Sequence, residues 1–222
     1  SLRMSLDSPA ERVGSAWAND TPTSQAVVGL GLIAGAALLD RPLDDYAQRR
    51  MNNPSVKAVR RVGDALPIIG LGAAGLTWIT QRGNARGELA FTAVEAGLGA
   101  LAINELVKVA VDRSRPLDNL GPHSFGRTGR SHSSFPSSHA AATWAVVTPY
   151  AEHDDAPWLY GAAALTNVAR VMGRHHWASD TVAGALLGYW VGDHLYRRSD
   201  LAQGAPRLFV SPRSVVLAVP FE

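Results

Sequence analysis

The sequence predicts an all-α protein, a single bundle of about six core helices with a short extended appendage near the C-terminus. Apolar stretches rich in Ala and Gly alternate with short polar connectors, and β-branched alternation is scarce in most of them. Hydrophobic residues make up 46% of the 222 residues and charged residues only 18%, which excludes a disordered tail. This length suits one domain spanning residues 1–222.

The six apolar stretches have helical length, and breakers separate them. Asp40-Arg41-Pro42 is expected to end the first and Arg115-Pro116 the third, because the residue before Pro is disfavoured in the α region. The loop over 117–136 is long enough to suggest a functional role. The segment 207–222 has two short apolar runs around a Ser-Pro-Arg-Ser turn, which predicts a small hairpin. The stretches are Gln25–Leu39, Ala65–Ile79, Glu88–Val111, Ser138–Tyr150, Trp158–Val171 and Asp180–Tyr196.

Charge and cysteine content exclude several classes of site. The chain has 21 Lys and Arg against 19 Asp and Glu, and the basic residues do not form one long block. A nucleic-acid partner is therefore not expected. Cys is absent, which excludes a disulfide scaffold, Cys-ligated zinc, iron–sulfur clusters and thiol catalysis.

The lengths of the apolar runs bear on membrane insertion. A spanning helix needs about 20 mostly apolar residues; the first two runs are shorter, and Pro67 interrupts the second. Gly184, Gly188 and Gly192 form a ridge of small residues. Such a ridge is common between membrane helices, but it serves close packing in soluble bundles equally well. The run lengths favour a soluble or peripherally attached bundle.

Two cations stand near the end of the third stretch. Lys108 and Arg115 are seven residues apart, so a continuous helix would project both from one face. Two converging cations suit an oxyanion such as phosphate, with Arg as a two-pronged donor and Lys as a point charge. By itself, the pair also fits two solvated cations on a helix surface.

A second segment, Phe135-Pro136-Ser137-Ser138-His139, precedes the fourth stretch. Ser137 is a favourable N-cap, which places Ser138 and His139 in the first helical turn. Free backbone N–H groups and the positive end of the helix dipole make such a turn an anion site. His139 could then exchange a proton with a bound group. An ordinary capped helix with an incidental His fits the same residues.

A third segment, Arg170–Asp180, holds a third cation, two His and a carboxylate. In a helical turn His176 and Asp180 are neighbours at positions i and i+4. A carboxylate on one imidazole nitrogen fixes the tautomer and leaves the other nitrogen free to attack. A structural His–Asp pair or a His-His-Asp metal site also fits, although no HExxH or comparable ligand spacing accompanies it.

Together the segments read Lys-x6-Arg-Pro, Pro-Ser-x-His and Arg-x5-His-x3-Asp, in that order, between Lys108 and Asp180. This set resembles the motifs of the type 2 phosphatidic acid phosphatase family, which includes bacterial acid phosphatases and lipid phosphatases and shares its site with vanadium haloperoxidases. The resemblance implies a hydrolase that needs no metal and no cofactor and is inhibited by vanadate. It would cleave a phosphomonoester, or a lipid phosphate or diphosphate, through a phosphohistidine.

The resemblance also implies a role for each residue. His176 would be the nucleophile, Asp180 would orient it, and His139 would protonate the leaving group and later activate water. The family usually has Gly where this chain has Ser138 and Ser where it has Ala169. The Ser138 side chain would narrow the pocket, and Ala169 would lose one packing or hydrogen-bonding role. The residues expected to bind the phosphate are Lys108, Arg115, Ser137, Ser138 and Arg170.

The expected partner is a phosphorylated small molecule or a lipid phosphate, with peripheral membrane contact. The resemblance implies an exported protein that is periplasmic or membrane-associated. Two other functions stay open. One is a vanadium-dependent haloperoxidase, disfavoured because those proteins are longer and have a wider first motif. The other is a non-catalytic helical membrane module.

Overall fold

The computed structural model describes residues 22–126, 133–199, 201, 207–211 and 214–218. Within these ranges the fold is a set of helices followed by one antiparallel hairpin, in agreement with the predicted all-α class and appendage. That the whole chain forms one domain stays a prediction. The elements are α1 Pro22–Ala37, α2 Asp40–Arg50, α3 Pro54–Thr80, α4 Ala85–Val111, a 3-10 turn Pro116–Asp118, α5 Ser138–His153, α6 Trp158–Met172, α7 Ala178–Arg198, β1 Arg207–Ser211 and β2 Ser214–Ala218.

Helix α2 occupies a segment that the sequence predicted as a connector. Asp40 is its first residue, so Pro42 lies in the first turn. Proline is tolerated there because the N–H groups of that turn have no helical acceptor. The first helix does end before this triplet, at Ala37, but the same triplet also begins α2, which the sequence did not predict. Asp40 is also almost fully buried, which makes the start of α2 part of the interior.

Helix α3 continues through Pro67 and is longer than predicted. Proline cannot donate to the carbonyl four residues earlier, which belongs to Gly63. The Thr166 hydroxyl of α6 donates to that carbonyl at 3.2 Å and satisfies it. Among the described residues, α3 is the one unbroken helix that is long and apolar enough to cross a membrane. Only 17% of its 18-residue apolar stretch is buried. The expectation that no apolar run reaches spanning length is thus wrong.

Helices α5 and α7 pack closely because glycine lines the contact. A Cβ on Gly188 would overlap a carbonyl oxygen of α5, one on Gly184 would lie 2.5 Å from the Ser137 oxygen, and one on Gly192 would lie 2.7 Å from a side chain of α5. The contact holds the starts of the two helices together, since the Ser137 N–H donates to the Asp180 carbonyl at 3.0 Å. The adjoining core is made of small side chains: Ala96, Ala100, Ala141, Ala145 and Val191.

Candidate active site

The loop between α4 and α5 is tied to residues 112–115 by backbone hydrogen bonds. The Ser114 N–H donates to the Ser124 carbonyl at 2.9 Å, and the Ser134 N–H donates to the Arg113 carbonyl at 2.7 Å. These contacts bring the end of α4 beside the segment that leads into α5. The two cations of the first motif and the second motif therefore adjoin.

The two cations of the first motif do not share a helix face, and that prediction is wrong. Asp112 ends α4 with a left-handed φ of 42°, and Arg115 lies in extended backbone beyond it. The loop nevertheless keeps the two cations close. Burial lowers the pKa of Lys108, and the positive charges of Arg115 and Arg170 lower it further. Three cations are thus near enough to repel one another, which favours binding of an anion among them.

Two donors of the predicted phosphate site have no partner among the described residues. The Ser137 hydroxyl is fully buried and does not cap α5, although Ser137 occupies the N-cap position. The Nε of Arg170 is likewise buried and unpaired within the described part of the chain, while its Nη1 donates to Asp64 at 2.8 Å. Unsatisfied buried donors are costly, so both atoms fit a site that is completed by a bound anion.

The imidazole of His176 is buried and held by the loop. Its Nδ1 lies 2.7 Å from the Ser134 carbonyl oxygen. Because a carbonyl can only accept, Nδ1 carries the proton, so in the neutral ring Nε2 keeps its lone pair. Burial, with the charges of Arg170 and Arg115, lowers the pKa of His176 well below its usual value. The lowered pKa favours the neutral ring, which is the form that a nucleophile requires.

Asp180 lies near His176 but is not its hydrogen-bond partner. Its Oδ2 is 3.9 Å from the Nδ1 of His176. That oxygen instead accepts from the Ser134 hydroxyl at 2.5 Å and from the Trp177 N–H at 2.8 Å. The structure thus brings the two predicted residues together with Ser134 between them. Burial raises the pKa of Asp180 to about 6, an effect that the neighbouring Arg113 opposes.

Arg113 is a residue of this site that the sequence reasoning missed. Its Nη1 donates to Asp180 and to the Ser179 hydroxyl, and its Nη2 donates to Asp40. Asp40 in turn accepts from the backbone N–H and the hydroxyl of Ser179. A buried network therefore joins α2 and the loop to the start of α7. The sequence holds one weak signal for it, a second Arg two residues before Arg115.

His139 is half-buried in the first turn of α5. Burial and the charge of Arg170 lower the pKa of His139 to about 4, with smaller contributions from Lys108 and Arg115. The three cations that act on His139 also act on His176, so both predicted histidines border one site. His139 also faces an apolar pocket of about 250 Å³, lined by Pro67, Ile68, Leu71, Leu101, Ser138, His139 and Ala142.

The two departures from the family motifs have distinct surroundings. Ser138 is the first residue of α5, where backbone N–H groups have no helical acceptor. Its hydroxyl accepts from Asn104 at 2.9 Å and donates to Glu105 at 3.1 Å. Ala169 is fully buried, and a Cβ on Gly63 of α3 would overlap its methyl group. The small residue thus permits close packing of α3 on α6.

Metal binding and catalysis place different demands on these residues. Among the described residues, no group of three or more His, Asp or Glu is arranged to hold a metal ion. What the geometry does supply is cationic charge, buried donors without a partner in the described part of the chain, an imidazole whose lowered pKa favours the neutral form, and a second imidazole beside an apolar pocket. This arrangement can bind a phosphoryl group and transfer it to nitrogen.

Comparison with known proteins agrees with this geometry. Residues 89–201 match the family model described as the PAP2 superfamily. The chain is 36% identical over 95 residues to a lipid A 1-phosphatase of Porphyromonas gingivalis, an alignment that covers 36% of this chain and 21% of that protein. The matched part thus spans about a fifth of the relative's length. No solved structure matches the chain. Since the family model covers half of the chain and contains all three motifs, the protein belongs to the PAP2 superfamily.

Proposed function

We propose that this protein is a phosphatase that hydrolyses a lipid phosphate through a phosphohistidine, without a metal ion. The observation that carries the proposal is the pair of buried donors on Ser137 and Arg170 that have no partner within the described part of the chain. The charge of Arg170 also acts on the imidazole of His176. Phosphate oxygens would satisfy both donors, and Lys108 and Arg115 would balance the remaining charge.

The reaction takes two steps. In the first, Nε2 of His176 attacks phosphorus while the bond from phosphorus to the ester oxygen breaks, and His139 gives that oxygen its proton. In the second, His139 takes a proton from water, the water oxygen attacks phosphorus, and the phosphorus–nitrogen bond breaks to restore His176.

The low pKa of His139 fits this sequence of events. With a pKa of about 4, the ring is neutral before substrate binds. A bound phosphate brings negative charge among the cations that lower this pKa, so binding raises it and favours the protonated acid. After the leaving group departs, the ring is again neutral and can act as a base toward water.

A lipid substrate is supported by apolar surface around the site. The pocket beside His139 is lined mainly by aliphatic side chains, and Ile68 at its wall is 74% exposed. Leu106 on α4 is 73% exposed. Exposed apolar surface of this kind marks contact with lipid or another partner. The similarity to a protein named lipid A 1-phosphatase also favours a lipid substrate. We infer that α3 inserts into a membrane. The resemblance to exported phosphatases favours a site on the side of the membrane that faces away from the cytoplasm.

The test is a phosphate-release panel that sets lipid phosphates and isoprenyl diphosphates beside nucleotides and sugar phosphates. We expect release from one or more lipid substrates, lost in His176→Ala. Preference for soluble esters would contradict the lipid assignment, and no release from any substrate would favour a non-catalytic module. Halide oxidation with added vanadate, in the absence of phosphate release, would favour a haloperoxidase.

A further inference from the structure

One face of helix α4 carries an apolar, an acidic and a basic side chain in succession. Leu101, Glu105 and Lys108 are spaced four and three residues apart, which places them on the same face of the helix. Leu101 lines the apolar pocket, and Lys108 is one of the three cations, with Arg115 and Arg170, of the candidate phosphate site. Along this face, Glu105 therefore lies between a residue that lines the apolar pocket and a cation of the candidate phosphate site.

The Glu105 carboxylate is oriented by a short hydrogen-bond chain. Asn104, which is fully buried, donates to the Ser138 hydroxyl at 2.9 Å, and that hydroxyl donates to Oε1 of Glu105 at 3.1 Å. Because Asn104 occupies a lone pair of the hydroxyl, the Ser138 proton points at the carboxylate. Glu105 itself is exposed, so it can accept further hydrogen bonds from a bound molecule.

A carboxylate in this position carries an electrostatic cost. Burial lowers the pKa of Lys108, and the negative charge of Glu105 opposes that shift, which means that Glu105 lies close enough to act on the phosphate site. It would repel a bound phosphate by the same Coulomb interaction. A donor on the substrate would offset this repulsion, because hydrogen bonds to a charged acceptor are among the stronger ones.

We propose that Glu105 and Ser138 bind a hydrogen-bond donor on the leaving group, next to the ester oxygen. The substrate class is then an acylated sugar or polyol phosphate that carries a hydroxyl or amide N–H near the phosphate. Phosphates of plain hydrocarbon alcohols, which offer no such donor, are poorer substrates. This inference rests on the proposed phosphatase function and adds its specificity.

The experiment compares two substrates in the same detergent micelles: an N-acylglucosamine 1-phosphate, which carries donors, and farnesyl phosphate, which carries none in its leaving group. In Glu105→Ala we expect kcat/KM for the sugar phosphate to fall about 10- to 100-fold relative to kcat/KM for farnesyl phosphate. Glu105→Gln keeps an acceptor oxygen and should lose less. Ser138→Gly frees the carboxylate and should also lower the selectivity.

Glu95→Ala is the matched control, because Glu95 is exposed on the same helix and far from the pocket. It should leave the selectivity unchanged. An equal fall on both substrates in Glu105→Ala would overturn the inference, since Glu105 would then act only through Lys108. Unchanged selectivity would overturn it as well. Wild-type protein that releases phosphate from neither substrate would instead overturn the proposed phosphatase function.

Discussion

Arg113 and Asp180 form an ion pair that is buried on both sides, with 2.5 Å between Nη1 and Oδ1. The same guanidinium lies 2.8 Å from the carboxylate of Asp40, so one cation serves two buried carboxylates. Through Ser134, which contacts both Asp180 and His176, the pair reaches the predicted nucleophile. Arg113 is therefore a positioning residue of the site.

Substitution of Arg113 should change both stability and pH dependence. Arg113→Met leaves two buried carboxylates without their cation, which should cost about 3–5 kcal/mol of unfolding free energy. It should also raise the pKa of Asp180 above about 6, so the acidic limb of kcat/KM moves to higher pH. Arg113→Lys keeps the positive charge. Its acidic limb should therefore move less than that of Arg113→Met, and its unfolding free energy should fall less.

Thermal unfolding and a pH–rate profile measure these two effects. Arg86→Met is the control, because its ion pair with Asp154 is exposed and such pairs contribute little. An acidic limb that stays in place in both Arg113 variants would refute the coupling to Asp180.

Alanine substitutions of the two histidines should impair different steps of the reaction. His176→Ala should lower the turnover of every substrate by about 10⁴-fold or more, because no phosphoenzyme can form. His139→Ala should still transfer phosphate from p-nitrophenyl phosphate, whose leaving group needs little protonation. Rapid mixing should then give a burst of nitrophenol near one equivalent, followed by a slow phase, with an acid-labile phosphoprotein accumulating. A burst in His176→Ala would reverse the two roles.

Vanadate and chelators test how the phosphate is held. Vanadate should inhibit competitively and bind more tightly than inorganic phosphate, because it adopts a trigonal-bipyramidal form that resembles the transition state. EDTA should leave activity intact if cations and a helix N-terminus supply the charge stabilisation. Steady-state inhibition kinetics measure the first effect. Activity that is lost on chelation and restored by a divalent metal would contradict a metal-independent mechanism.

A methyl group added at the contact between α5 and α7 should lower the stability of the protein. Gly188→Ala places a Cβ against backbone of α5, and overpacking of this kind costs about 1–3 kcal/mol. Gly161→Ala on α6 is the matched control, since nothing lies within 4 Å of its Cβ position. It should raise stability by about 0.5–1 kcal/mol, because helical Gly is less favourable than Ala. Equal melting temperatures for the two variants would contradict tight packing at Gly188.

Helix α3 should hold the protein in membranes. Its apolar window is long enough to span and mostly unburied, so removal from lipid would expose that surface to water. Fractionation of cells after a carbonate wash should leave the protein in the pellet, with release only by detergent. Ile68→Arg and Ile69→Arg together should weaken this retention. Wild-type protein in the wash supernatant would favour the peripheral attachment that the run lengths suggested.

The helices were predictable where the signal is local. Apolar length and spacing identify six of them, because burial of an apolar face needs nothing from distant sequence. The effects of Pro42 and Pro67 were predicted wrongly because they are not set by the local apolar pattern. A proline at the start of a helix is benign, and the carbonyl freed by Pro67 is satisfied by Thr166, which lies far away in the chain.

The candidate site was predictable in its motifs but not in its supports. Each motif residue carries its own chemistry, so spacing along the chain predicts His176 and Asp180 as a pair, and the structure brings them within 3.9 Å of each other. The carbonyl of Ser134 and the carboxylate of Asp40 act through contacts with residues more than 40 positions away. No periodicity encodes such contacts, and backbone atoms have no residue-type signature.

The glycine ridge on α7 restricts where the chain can gain or lose residues. One residue inserted between Asp180 and Gly192 would rotate each later glycine about 100° around the helix and would present a side chain to the backbone of α5. Changes in length are therefore compatible with the site only in connectors, such as residues 154–157 between α5 and α6. Divergence in substrate preference is then expected to proceed by substitution on α3 and α4, while the spacing from Asp180 to Gly192 stays constant.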